Sequence, residues 1–168
     1  MHKRWLEYKN IKIEKTGFVN PTNVQKSLHR IYRDIRFTKD KTPFKNNFSG
    51  GFRRETKALR GGYYNNIEPG NSFLGGGFWG PNSDDLKLIR SHVAAEPERL
   101  REIIDSKEFI TEFGQLDGEK VKTAPKGYSK EDPAIDLLRY KQFLVGRSFT
   151  DEEVMDVNFP KSAATTFS

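Results

Sequence analysis

The densest chemistry-bearing stretch is Arg30-Ile-Tyr-Arg-Asp-Ile-Arg-Phe-Thr-Lys-Asp-Lys-Thr-Pro-Phe-Lys45, with six cationic side chains and two carboxylates in 16 positions. On an extended strand, Arg30, Asp34 and Arg36 project to one side with Tyr32 between them. Lys39, Lys41 and Lys45 follow in the connection beyond. Guanidinium and ammonium groups gathered this way can hold a multiply charged anion, with Asp34 orienting an arginine. The same residues can also satisfy one another, Asp34 and Asp40 pairing with neighbouring Arg and Lys at a sheet edge. Edge lysines there also discourage strand-to-strand aggregation. Both arrangements are compatible with the spacing.

Other segments carry weaker signals. Gly70-Asn-Ser-Phe-Leu-Gly-Gly-Gly-Phe-Trp-Gly-Pro81 runs into a helix, a position where backbone N–H groups can cradle phosphate. It has no Gly-Lys-Ser/Thr ending, and Phe78-Trp79 separates the glycines from the helix, so a bulge or close backbone packing is the better account. Tyr63, Tyr64, Phe73, Phe78 and Trp79 could stack bases on a basic sheet, but aromatics at strand spacing more often build core. The basic-aromatic motif of RNA-recognition sheets is absent. Glu55-Thr-Lys57, downstream of Asp34 and Asp40, has an acid-x-Lys spacing used by some metal-dependent nucleases. Three-residue patterns of this kind arise by chance in any charged chain. The histidines His2, His29 and His92 lack metal-ligand spacing, so no metal site is expected. Lys126-Gly-Tyr128 forms a turn whose lysine either reaches a ligand or is simply solvated.

The elements that must position these residues fit within 168 residues, the size of one domain. Absence of cysteine excludes disulfides, thiolate metal sites and a thiol nucleophile. No apolar run approaches the roughly 18 residues of a membrane span, and the charged start lacks the apolar stretch of a secretory signal. A soluble, cytoplasmic protein without a membrane partner is expected. The net charge of +6 is unevenly distributed: residues 1–60 hold 16 Lys/Arg against 5 Asp/Glu, and residues 61–168 hold 13 against 18. A basic first third points to an anionic partner such as phosphate, nucleotide or nucleic acid, or to uneven surface charge alone.

Residues 1–27 are poorly patterned. From Leu28, alternation through Ile31, Ile35 and Phe37 favours a strand with one buried face, although helical spacing also fits. Phe44, Phe48 and Phe52 share one parity, residues 61–68 read as a third strand, and Pro69-Gly70 turns the chain into a fourth over 71–79. After Pro81 the pattern becomes helical. Asn82 or Ser83 caps a helix with Asp84 and Asp85 in its first turn, Pro97 starts another, and Ser106 opens a third ending at Gly114. Residues 115–131 read as loop, Asp132-Pro133 as a helix start, and residues 142–146 as a late strand. Thr150-Asp-Glu-Glu153 has capping-box spacing. The expected fold is α+β: an antiparallel sheet of about four to five strands with helices following in sequence and packed on it. The domain spans 28–158, and residues 159–168 are expected to fray.

In order along the chain, residues 30–45, residues 62–79 (GYYNNIEPGNSFLGGGFW), residues 125–128 with 132–138, and Val145-Gly-Arg147 resemble a bacterial and fungal family, domain of unknown function 2461. The resemblance covers residues 28–158 and implies an α+β fold; it brings no activity, substrate or cofactor. Its polar motif positions fall here on Arg30, Arg33, Asp34, Arg36, Lys39, Asp40, Lys41, Pro43, Glu68, Gly70, Lys126 and Gly127. Members of that family carry a longer helical segment ahead of the first motif and a further C-terminal helix, and this chain departs from that pattern with a short, poorly patterned first stretch and an end at Ser168. The leading expectation is an anion-binding domain using Arg30, Arg33, Arg36, Lys39, Lys41 and Lys126. The alternatives are a metal-assisted phosphate-ester hydrolase with Asp34, Asp40 and Glu68 as ligands or bases, and a protein-interaction module.

Overall fold

Aromatic and β-branched residues around the Pro69-Gly70 turn favour paired strands, and the chain forms them there. In the computed structural model, which describes residues 27–53 and 61–167, the sheet has four antiparallel strands. These are β1 (Phe48–Arg53), β2 (Gly62–Ile67), β3 (Ser72–Phe78) and β4 (Phe143–Phe149), in the spatial order β1-β2-β3-β4. The register of β1 on β2 sets Phe48 opposite Ile67, Gly50 opposite Asn65 and Phe52 opposite Tyr63. Helices follow the third strand, so the architecture is α+β. Among the described residues, no helix is long and apolar enough to cross a membrane.

The strand expected from Leu28 does not form. Residues 28–37 contribute only the isolated bridges Leu28↔Gly50 and Tyr32↔Phe44. Ile31, Ile35 and Phe37, the expected buried face, are 41%, 36% and 91% exposed. Alternation stabilises a strand only where neighbouring strands take its backbone hydrogen bonds and another layer covers one face. Here the chain folds back on its own residues 43–45 and has no such layer. A fifth strand is therefore absent among the described residues. The expectations for residues 1–26 and for Glu55-Thr-Lys57 lie outside the described residues.

The chain divides into two compact units, Met1–Gly76 with Arg147–Ser168, and Gly77–Gly146. In the first, Phe52, Leu74, Phe149, Ala163 and Ala164 form the buried core, with Tyr63, Val154 and Phe159 packed against it. Leu74 is 1% exposed, and full burial of such a side chain contributes about 1.5–3 kcal/mol. Helix α5 (Asp151–Met155) begins with the expected capping box between Thr150 and Glu153. The expected frayed tail is instead helix α6 (Phe159–Thr165), held because Pro160, Ala163 and Ala164 are buried. Phe149 and Phe159 meet edge to face at 5.3 Å.

The second unit holds α1 (Ser83–Ala95), α2 (Pro97–Ile104), α3 (Lys107–Phe113) and the single turn α4 (Ile135–Leu138). Asn82 caps α1 by accepting the Asp85 N–H at 2.8 Å, and Ser106 caps α3 through Phe109 N–H at 3.1 Å. Val93, Ala134, Leu137, Leu138 and Tyr140 make its core. Arg90 donates to the carbonyls of Leu138 (2.8 Å) and Tyr140 (3.1 Å), taking carbonyls that the short α4 leaves open. Residues 115–131 are not all loop: Asp117 bridges Leu144, and Lys120 bridges Tyr140. The glycine run has a steric cause rather than a phosphate-binding one. A Cβ on Gly77, whose φ is +129°, would lie 2.1 Å from the Phe143 carbonyl oxygen.

Candidate functional site

The basic segment is a self-contained loop on the first unit. It closes through Arg33 N–H to Pro43 O (3.0 Å), Lys45 N–H to Ile31 O (2.8 Å) and the Tyr32–Phe44 ring pair at 5.3 Å. Inside it, Arg36 grips Asp34 with two donors, Nε at 2.9 Å and Nη2 at 2.6 Å. Asp40 turns back on Thr42, accepting its N–H at 2.9 Å and its hydroxyl at 2.6 Å, and also pairs with Arg33. Lys41 Nζ donates to the Ile35 carbonyl at 2.8 Å. Asp34 is held below the usual carboxylate range, first by the Arg36 hydrogen bond. Asp40 is lowered to about 2, first by the Thr42 hydroxyl and then by its backbone N–H.

Three of the six predicted ligand-binding cations, Arg33, Arg36 and Lys41, are thus engaged within the loop. Arg30 and Lys39 are exposed and make no hydrogen bond or ion pair among the described residues. The sixth, Lys126, is carried by the second unit on the exposed turn closed by Tyr128 N–H to Pro125 O at 3.1 Å.

The candidate carboxylates do not form a metal-binding set. Among the described residues no three His, Asp or Glu side chains gather where they could hold a metal ion. Asp34 and Asp40 serve the loop. Glu68 instead organises the end of β2, accepting amide protons from Asn66 (3.2 Å) and Asn71 (3.1 Å) and from Asn46. These bonds, Asn66 first, hold its carboxyl below the usual range, so it stays ionised near neutrality.

Glu68 also belongs to a feature that motif reasoning missed. The first unit contains a cavity of about 830 Å³, bounded by β1, β2 and β3 on one side and by α5 and α6 on the other. Its walls are mainly apolar, with Phe48, Ile67, Leu74, Val154, Met155 and Phe159 prominent. Tyr63, Asn65 and Ile67 share one parity of β2, so the face that supplies Tyr63 to the core also turns Asn65 and Ile67 toward the cavity. Asn65 is 5% exposed, and its side-chain Oδ1 is buried with no hydrogen-bond partner among the described residues. Glu68 and Asp151 line the same space, and Asp151 is fixed by accepting the Gly70 N–H at 2.8 Å. The one legible signal for this site is a carboxamide between Tyr63 and Ile67 on a core-facing parity.

The aromatics divide between the two readings the sequence allows. Tyr63 is half-buried against Phe167 at 5.2 Å, and Tyr64 packs between His29 and Phe73, each at 5.7 Å. Trp79 is 75% exposed.

No curated protein and no solved structure matches this chain. A family model described as a conserved hypothetical protein, DUF2461, matches residues 6–168. The match extends past the motif-bearing span at both ends and takes in α6. The sheet, the basic loop and the cavity walls all lie within it, and the chain belongs to the DUF2461 family of conserved hypothetical proteins.

Proposed function

We propose that the first unit is a binding module for a small, mainly apolar molecule carrying a hydrogen-bond donor. The observation that carries this is an apolar cavity of about 830 Å³ lined by Asn65, whose buried Oδ1 has no hydrogen-bond partner among the described residues. That volume falls in the range of about 300–1,000 Å³ typical of small-molecule sites, where a few placed polar groups orient the ligand. An unsatisfied buried acceptor costs about 1–3 kcal/mol, a cost that a ligand donor would remove on binding.

Titration of the full chain with N-phenyl-1-naphthylamine, an apolar fluorophore with one N–H donor, tests this. Saturable enhancement is expected, with loss in Val154→Trp, which fills the cavity while circular dichroism stays unchanged. Weak, non-saturating enhancement that is equal in both proteins would refute it.

A second reading keeps the basic loop as an anion site for phosphate, nucleotide or nucleic acid. It is favoured by Arg30 and Lys39, which have no hydrogen-bonded carboxylate among the described residues, with Arg33, Arg36 and Lys41 available only by exchanging their internal partners. Salt-dependent binding tests it. The metal-assisted hydrolase would require Asp34, Asp40 and Glu68 to converge, and no observation favours it. The interaction module would use the same basic face against an acidic protein.

A further inference from the structure

The charge around the cavity narrows what it would hold. The chain carries 29 Lys/Arg against 23 Asp/Glu, yet no Lys or Arg is among the described residues lining this space. Its two acidic linings, Glu68 and Asp151, come from different elements, the end of β2 and the first turn of α5. Each is fixed: Glu68 by amides of Asn66 and Asn71, and Asp151 by the Gly70 N–H. Independently of these carboxylates, Asn65, whose buried Oδ1 has no hydrogen-bond partner among the described residues, lines the same cavity. An unpartnered acceptor, and two carboxylates with no Lys or Arg in the same lining, describe the complement of a protonated amine.

We infer that the cavity takes an amphiphilic amine, its N–H donors meeting Asn65 Oδ1, its positive charge facing Glu68 and Asp151, and its apolar body lying against Ile67, Leu74 and Val154. Placing an ammonium beside Glu68 and Asp151, both of which solvent reaches, adds a modest attraction that salt screens. A carboxylate of the same shape would meet like charge and bring no donor to Asn65. This inference rests on the cavity being a ligand site and adds the chemical class of the ligand.

The test uses the full chain and three compounds with one aromatic body: 2-(1-naphthyl)ethylamine, 2-(1-naphthyl)ethanol and 1-naphthylacetate. Each competes with N-phenyl-1-naphthylamine at neutral pH and fixed ionic strength. The amine is expected to displace the fluorophore at a concentration about threefold lower than the alcohol, and the carboxylate is expected to be weakest. Glu68→Gln and Asp151→Asn should each shrink the advantage of the amine over the alcohol. Equal displacement by all three, or preference for the carboxylate, would overturn the amine assignment and leave the cavity reading standing. Failure of the fluorophore itself to bind saturably would overturn both. Because the compound series is read on the unaltered chain, the outcome does not depend on whether either variant folds.

Discussion

Asn65 stands opposite Gly50 in the register of β1 and β2, so the cross-strand neighbour of a buried carboxamide is a residue without a side chain. On either side the pairs are Phe52 with Tyr63 and Phe48 with Ile67. The Asn65 Oδ1 has no hydrogen-bond partner among the described residues. A purely structural position of this kind would be better filled by an apolar residue, so Asn65 has the character of a site that trades stability for binding.

Asn65→Leu tests that trade. Replacing an unsatisfied buried polar group by an apolar one of similar size should leave the free energy of unfolding unchanged or raise it by about 1 kcal/mol. Fluorophore affinity should fall in the same variant. Urea denaturation beside the binding titration checks both, and a loss of more than about 1 kcal/mol would mean that the carboxamide is a structural element.

Gly77→Ala should be severely destabilising and Gly76→Ala mild. A Cβ at Gly77 would press on the Phe143 carbonyl, which belongs to a strand backbone and cannot swing aside, at a positive φ. The expected cost is about 2–4 kcal/mol. At Gly76 the nearest atom is 2.8 Å away on the Phe167 ring, a side chain near the end of the chain that can move, for about 1 kcal/mol. Thermal denaturation of the two variants distinguishes them, and equal losses would contradict the steric account.

The basic loop should loosen in acid. Asp40 is lowered from 3.8 to about 2, so its contribution to the loop is fully present above about pH 4. That contribution disappears as the pH falls through 2. Asp34 and Glu68 are lowered in the same direction. Because these groups are exposed, the changes should be local to residues 31–45 and to the asparagines around Glu68, without global unfolding. Carboxyl-carbon NMR should find Asp40 titrating well below free aspartate, with Thr42→Ala raising its midpoint more than Arg33→Met. The reverse order would place the Arg33 ion pair above the Thr42 hydroxyl as the cause.

If the loop also binds polyanions, Arg30→Ala and Lys39→Ala should weaken binding. Removing a cation that neutralises one phosphate should flatten the dependence of log affinity on log salt by about 0.7–0.9. Arg36→Ala should matter less, because Arg36 is committed to Asp34 through two hydrogen bonds. A flat salt response in the unaltered chain would remove this reading.

Local chemistry makes much of the fold legible. The Thr150–Glu153 capping box, the Asn82 and Ser106 caps and the turn at Pro69-Gly70 depend on residues within a few positions of one another, and each is readable from its own segment. Ile31, Ile35 and Phe37 mislead for the opposite reason. Their alternation states which residues a strand would bury if another layer covered them, and only the tertiary structure decides whether that layer exists. Residues 159–165 look too small and polar to hold, yet Ala163 and Ala164 are suited to close packing because they are small. The cavity is hidden in the sequence because its walls come from Phe48, Ile67, Val154 and Phe159, residues separated by up to about a hundred positions. Glu68 reads in sequence as a candidate ligand or base for hydrolysis, and its geometry makes it part of the cavity's acidic side.

The most direct measurement is a heteronuclear NMR titration of the full chain with N-phenyl-1-naphthylamine. The account expects saturable shifts confined to the Asn65 side-chain amide, the methyls of Ile67, Leu74, Val154 and Met155, and their neighbours, with the resonances of residues 31–45 beyond the cavity lining unmoved. Shifts centred on Phe37, Lys39 and the loop tip, or no saturable shift at Asn65, would contradict it.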